Sequence, residues 1–186
     1  MAEVYKPSDD SWLLEEEINK LNLKGKRCLD MGCGSGVQTL AMLKADADSV
    51  TSVDINPDAL RFTRQKTLKL GHNEIKTRFV KSNLFSKLEH EDFDFIAFNP
   101  PYVPSDEKKW VDLDGGKNGR EVIDLFIDQV KPHMNKGGLL YLLVSSHNNE
   151  KEVLSLLKSV GFKSHIIAKK DLFFEKLFVI SATMAD

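Results

Sequence analysis

Apolar positions in this chain fall into short runs, and most runs lead into a stretch of helical spacing. Residues 93–98, Phe-Asp-Phe-Ile-Ala-Phe, read as a buried strand. Residues 26–31 and 49–53 read the same way, and 76–80 alternate in character. Residues 139–144 are the most apolar run and predict a central strand. Residues 162–168 and 173–181 predict two last strands. Their connection, 169–172, is too short for a crossover helix, so they pair as a hairpin. A first helix opens near Ser8, Asp9 and Asp10, all N-cap types, and is broken at Lys24-Gly25-Lys26. Helix capping is a sufficient reading of Asp10 and Ser11. Further helices are expected over 37–44, over 57–70 with Pro57 in the first turn and Gly71 as the stop, and over 149–160. Another starts at Arg120 and is closed by Pro132 and Gly137-Gly138. Strand and helix alternate throughout. This predicts one α/β domain over residues 1–186, with a mostly parallel sheet and one antiparallel strand.

Ligands of such sheets bind outside the strand C-termini. The polar residues collected there carry the chemistry. Asn99-Pro100-Pro101-Tyr102 follows the strand 93–98. Each proline lacks an N–H and stops the ladder, and both fix the local φ. The Asn99 amide oxygen and the Pro100 carbonyl are two acceptors, which suit a substrate –NH2 group. Tyr102 can wall off a planar group. A glycine turn, Gly32-Cys33-Gly34-Ser35-Gly36, follows the strand 26–31. Its spacing differs from the G-x-G-x-x-G of dinucleotide sites, and Asp30 precedes it. A carboxylate there repels a pyrophosphate and attracts an ammonium group. Asp54 ends the next strand, 18 residues after Gly36, where an acid accepts ribose hydroxyls. Asn83 follows the third strand and is either a turn residue or a partner for a purine edge. Residues 103–119 form a long irregular segment, a length that marks functional or mobile loops.

Composition narrows the classes. The chain has 186 residues, and 28 acidic against 26 basic side chains leave a net charge of −2. That balance leaves no overall basic excess to invite a nucleic-acid backbone. No apolar run is long enough to span a membrane, and the N-terminus carries no signal-peptide pattern, so a cytoplasmic protein is expected. Cys28 and Cys33 have no histidine cluster nearby and read as reduced core thiols, so neither a metal site nor a disulfide is expected. The five histidines, at 72, 90, 133, 147 and 165, are scattered and receive no role.

The segment from Asp30 to Gly36 with Asp54 resembles the S-adenosylmethionine site of Rossmann-like methyltransferases. Asn99-Pro100-Pro101-Tyr102 resembles the signature of amino- and amide-methylating enzymes. Two further stretches narrow the resemblance: 4–11, Val-Tyr-Lys-Pro-Ser-Asp-Asp-Ser, and 115–121, Gly-Gly-Lys-Asn-Gly-Arg-Glu. They are similar to the HemK-related release-factor glutamine methyltransferases, in the short eukaryotic and archaeal branch. The resemblance implies a seven-stranded methyltransferase fold. Ser11 would contact the methionine moiety, Asp30 would hold the ammonium end with Gly32 and Gly34 in the turn beside it, and Asp54 would take the ribose. Asn83 and Leu84 would flank the adenine; relatives often have Asp at 83. Asn99, Pro100, Pro101 and Tyr102 would bind the target amide, with Asn99, Pro100 and Tyr102 catalytic and Asn99 also bordering the cofactor.

The implied activity is methyl transfer from S-adenosylmethionine to the glutamine of a Gly-Gly-Gln loop in a class I translation release factor. The branch is activated by a small zinc-binding protein that adds a strand at the sheet edge formed by residues 76–80. An N6-adenine DNA methyltransferase would share Asn99 to Tyr102, but the net charge and the absence of a target-recognition domain disfavour it. Two acceptors holding a planar amide also suit a lysine amine less well. A binding module without activity conflicts with an intact Asn99 motif, and the glycine spacing disfavours a nicotinamide oxidoreductase.

Overall fold

A computed structural model describes residues 4–71, 76–104, 115–116 and 118–185. Most of the expected segment 103–119, and His72, therefore lie outside the described residues. The strands are β1 (Arg27–Met31), β2 (Ser49–Asp54), β3 (Thr77–Lys81), β4 (Phe93–Phe98), β5 (Met134–Ser145), β6 (Phe162–Asp171) and β7 (Lys176–Met184). The helices are α1 (Asp9–Ile18), α2 (Val37–Lys44), α3 (Pro57–Lys69), α4 (Glu121–Val130) and α5 (Glu150–Ser159). All seven strands join one sheet in the order β3-β2-β1-β4-β5-β7-β6. β7 alone runs antiparallel, pairing with both β5 and β6. The parallel strands thus send their C-termini to one edge.

Side chains alternate across the sheet, and each face has its own core. Leu29, Met31, Ile96, Phe98, Leu140 and Leu142 face α4 and α5, where Ile123, Phe126, Ile127, Val153 and Leu157 are buried. Cys28, Val50, Phe95, Tyr141 and Leu143 face the other way, against Leu14 and Ile18 of α1 and Leu40 and Met42 of α2. Asp30 shares the parity of Cys28, so its side chain is directed at α2.

Three boundaries differ from the sequence reading. α1 stops at Ile18, and the chain turns so that Leu23 N–H can bond the Ala45 carbonyl at 2.8 Å. β5 begins at Met134 and carries Gly137 and Gly138 inside it, beside a register shift opposite Phe93 and Phe95. The glycines make a bulge there and do not end a helix. The last hairpin turns at 172–175, where Leu172 N–H bonds the Glu175 carbonyl at 2.8 Å. Residues 169–171 continue the ladder of β6 because backbone pairing at an edge needs no apolar side chain.

Candidate active site

At the C-terminal edge of β1, β2, β3 and β4 lies an open cleft with a cavity volume of about 170 Å³. Of the expected residues, Ser11, Gly32, Gly34, Asp54, Asn83, Leu84, Asn99 and Pro101 line it. Asp30, Pro100 and Tyr102 do not.

The glycine turn is built to keep its backbone close to the cleft. Gly32 has φ +65°, and a Cβ there would lie 3.2 Å from the Phe98 ring. The turn is fastened from several sides. Cys33 N–H bonds the Val53 carbonyl, Thr63 Oγ1 donates to the Gly34 carbonyl at 3.1 Å, and Lys66 Nζ donates to the Ser35 carbonyl at 3.1 Å. Asp54 completes it. One carboxylate oxygen accepts Gly34 N–H and the other Asn56 N–H, each at 2.8 Å. Burial raises the Asp54 pKa, and these backbone N–H groups work against the rise. A carboxylate oxygen has a second lone pair, so Asp54 can still accept from a ligand hydroxyl.

Asp30 is placed otherwise than expected. It lies within β1, paired in register with Ser52 and Ala97, and is 1% exposed. Its Oδ2 accepts from Thr39 Oγ1 at 2.5 Å, and Thr39 in turn meets Ser52 Oγ at 2.8 Å. Burial pushes its pKa up to about 7, against the hydrogen bonds of Thr39. From this position the carboxylate supports the α2 face and lies behind the residues that line the cleft.

The segment 82–84 forms the opposite wall. Asn83 is exposed and Leu84 is buried, with the positive φ of +47° that a tight turn requires. Ser82, unremarked in the sequence, holds this turn. Its Oγ donates to the Leu84 carbonyl at 2.8 Å and accepts Lys87 N–H at 3.1 Å, while its own N–H bonds the Asp54 carbonyl.

The Asn99 side differs in kind. Asn99 Nδ2 donates to Asp10 Oδ2 at 3.1 Å. The amide can be oriented only this way, because Asn99 Oδ1 turned towards the carboxylate would set acceptor against acceptor. Oδ1 is consequently the free end. Among the described residues it is a buried side-chain polar atom without a hydrogen-bond partner. Such an atom costs about 1–3 kcal/mol until it meets a donor. Asp10, 2% exposed, also accepts Tyr5 Oη at 2.9 Å, Ser11 N–H at 2.6 Å and Ser11 Oγ at 3.2 Å. Capping alone therefore understates Asp10, which sets the orientation of the Asn99 amide. Sequence spacing gives no sign of this, since the pair is 89 residues apart.

Asn148 is the second residue the sequence did not expose. It is fully buried, and its Nδ2 donates to the Tyr102 carbonyl at 2.8 Å and the Gly119 carbonyl at 2.9 Å. Its Oδ1 accepts Ser145 N–H at 2.8 Å. One side-chain amide thus pins the motif, the end of the loop and the end of β5. Gly119 has φ +65°, and a Cβ there would lie 2.2 Å from the Tyr102 carbonyl oxygen, so no larger residue fits. The Tyr102 hydroxyl is held protonated well above its usual range by burial and by the Asp10 and Glu175 carboxylates. No cluster of metal-ligating side chains occurs among the described residues.

The chain belongs to the methyltransferase small domain family, whose profile matches residues 8–174. It is a methyltransferase with the Rossmann-like seven-stranded fold. It is 40% identical to a protein of Methanocaldococcus jannaschii named provisionally as a protein N5-glutamine methyltransferase, over 97% of this chain and 91% of that one. Human methyltransferase HEMK2 is 33% identical over 98% of this chain and 90% of its own. The structure of the E. cuniculi Mtq2–Trm112 complex, described as responsible for methylation of the translation termination factor eRF1, superposes with a TM-score of 0.80 at 32% identity. That match covers 98% of this chain and 99% of that one.

Proposed function

We propose that this chain methylates the side-chain amide nitrogen of the glutamine in the Gly-Gly-Gln loop of a class I translation release factor. The observation that carries the reading is the buried, unpaired Asn99 Oδ1, left on the side of the amide away from Asp10. A primary amide is a planar group with two N–H donors, and it answers that vacancy. S-adenosylmethionine, when bound, supplies an electrophilic methyl group on a sulfonium. The chain's own residues do the rest. Ser11, Gly32 and Gly34 border the methionine part of the cleft, Asp54 accepts from the ribose, and Asn83 and Leu84 flank the adenine. Asn99 Oδ1 accepts one N–H of the glutamine amide, and the Pro100 carbonyl is the second acceptor. Pro101 and Tyr102 bound the planar group.

The amide nitrogen is a poor nucleophile because its lone pair is delocalised. Holding its two N–H groups aims that lone pair at the methyl group, and the acceptors stabilise the positive charge that grows on nitrogen. Once the methyl group were supplied, the methylated amide nitrogen would carry one proton too many and would give it to water. No general base is needed. Tyr102, protonated throughout the working range, is not one.

A partner completes the reading. β3 is the edge strand; its neighbour α3 exposes Phe62 and Leu68, and Leu70 is exposed just past the helix end. Two of the cations at this edge are engaged elsewhere, while Lys81 stays exposed at the end of β3. Arg78 pairs with Glu91, and Lys76 Nζ donates to the Ala47 carbonyl at 3.5 Å. A small zinc-binding activator adding a strand here would bury both the open ladder and the apolar surface. The solved relative in complex with Trm112 supports a partner of this kind. Action on a translation factor supports a cytoplasmic location.

The test incubates the chain, with and without the activator, with release factor, duplex DNA and histone and labelled S-adenosylmethionine. Mass spectrometry should locate the methyl group on the Gly-Gly-Gln glutamine. Methyl found only on lysine or adenine refutes the substrate.

A further inference from the structure

Phe173 and Phe174 stand at the tip of the β6–β7 hairpin, 93% and 86% exposed. Their rings touch only edge to face, with centroids 4.7 Å apart. A turn can be made from polar residues, and two bare aromatic rings in water are a cost unless something covers them.

The hairpin tip has a definite place. Ser145, the last residue of β5, is in register with Leu177, and its Oγ donates to Glu175 Oε2 at 2.5 Å. Lys176 N–H bonds Ser146 Oγ at 3.1 Å. The tip therefore projects beyond the same sheet edge as Asn99. It stands two strand spacings from β4, a lateral distance of about 10 Å. The Glu175 carboxylate acts electrostatically on both Tyr5 and Tyr102, which agrees with that proximity.

Charge and area choose the occupant. Lys169, Lys170 and Lys176 around the tip stand among three carboxylates, Asp9, Asp171 and Glu175, with Lys169 and Lys176 sharing Asp171. Lys170 pairs with Asp9 at 2.7 Å, Lys169 with Asp171 at 3.0 Å, and Lys176 lies 3.9 Å from Asp171. The surface offers apolar contact and no surplus cation for a phosphate. Two phenylalanines supply roughly 300–400 Å², whereas a stable complex needs about 800 Å² per partner. The patch is too small to hold a second copy or a permanent subunit. It suits a transient partner already gripped at a second point.

We propose that Phe173 and Phe174 dock the folded body of the protein substrate while its target loop enters the cleft at Asn99. This rests on the protein-substrate reading above. The docking partner is an apolar surface on the release factor beside its exposed loop, and the rings act on affinity for the whole protein.

The test compares wild type and F173S/F174S, each with the activator present. Both rings lie in solvent, so the substitutions leave the cores intact, and an unchanged melting temperature verifies this. The expected result is a KM for intact release factor raised roughly tenfold or more, with kcat at saturation and the S-adenosylmethionine Kd unchanged. An unchanged KM overturns the docking site and leaves the substrate reading standing. A fall in kcat or in cofactor affinity overturns it as well, by showing a role in the cleft. Loss of a wild-type dimer, or of activator binding, assigns the rings to that interface instead. A wild-type chain that leaves release factor unmethylated overturns the substrate reading, and this occupant with it.

Discussion

The two halves of the cleft handle their polar groups in opposite ways. Around the glycine turn, nearly everything is tied inward. Both Asp54 oxygens hold backbone N–H groups, and the Gly34 and Ser35 carbonyls take donors from α3. Around Asn99, one acceptor is fixed in direction and left without a donor. The first half is a cradle held by the chain's own hydrogen bonds. The second keeps an unmet hydrogen bond, the one that the proposed substrate amide would satisfy. Binding of the methyl donor and selection of the acceptor are thereby assigned to different kinds of structure.

The strongest way to break this contrast is Asn99→Ala. Methyl transfer should fall by roughly 10²-fold or more, the scale for deleting one preorganised polar group, with little change in cofactor Kd. A mutant that no longer binds S-adenosylmethionine by calorimetry would place Asn99 in the cradle instead. Asp10→Asn probes the same acceptor indirectly. An amide at position 10 can donate to Asn99 Oδ1 and fill the vacancy, so kcat should drop by about 10- to 100-fold. Cofactor Kd and melting temperature should stay near wild type. Unchanged turnover would remove Asp10 as the positioning residue.

Asp54→Ala tests the other half. Charge-assisted bonds to ribose hydroxyls are worth about 1.5–3 kcal/mol each, so Kd should weaken at least tenfold. The substitution also orphans Gly34 and Asn56 N–H groups, so some loss of thermal stability is expected alongside. An unchanged Kd would move the ribose site. The smallest effect concerns Asp30, which lies behind the cradle. Its pKa is raised by burial from 3.8 to about 7, so the native state holds the proton more tightly. Its stabilising contribution is fully present below about pH 4 and is lost as pH rises through about 7. Thermal melts across that window should show a smaller decline for Asp30→Asn than for wild type. Parallel curves would mean that Asp30 does not titrate there.

Much of this fold could be read from residue pattern. Runs of apolar residues alternating with helical spacing placed all seven strands, and the glycine turn and the Asn99 motif marked the edge where they end. What stayed hidden was set by tertiary geometry. The β5 glycines resemble a stop signal, and only the register with β4 reveals a bulge. Asp30 sits one residue before Met31 and looks like part of the turn, yet strand parity sends it to Thr39. Asp10 reads as a capping residue because its partner is remote in sequence, and Asn148 looks like one polar residue among several. Neither has a local pattern to betray it, because side-chain hydrogen bonds across the fold obey no period.

The contact between Asp10 and Asn99 also bears on the order of assembly. Strands β1 to β4 can pair without the first turn of α1, the segment that carries Asp10. The Asn99 amide has no reason to prefer one of its two faces until that segment arrives, and the contact closes a loop of 89 residues. Long-range closures of this kind are slow relative to local structure. The chain should therefore acquire its sheet before it acquires a directional acceptor, and catalytic competence would trail the burial of the core during refolding.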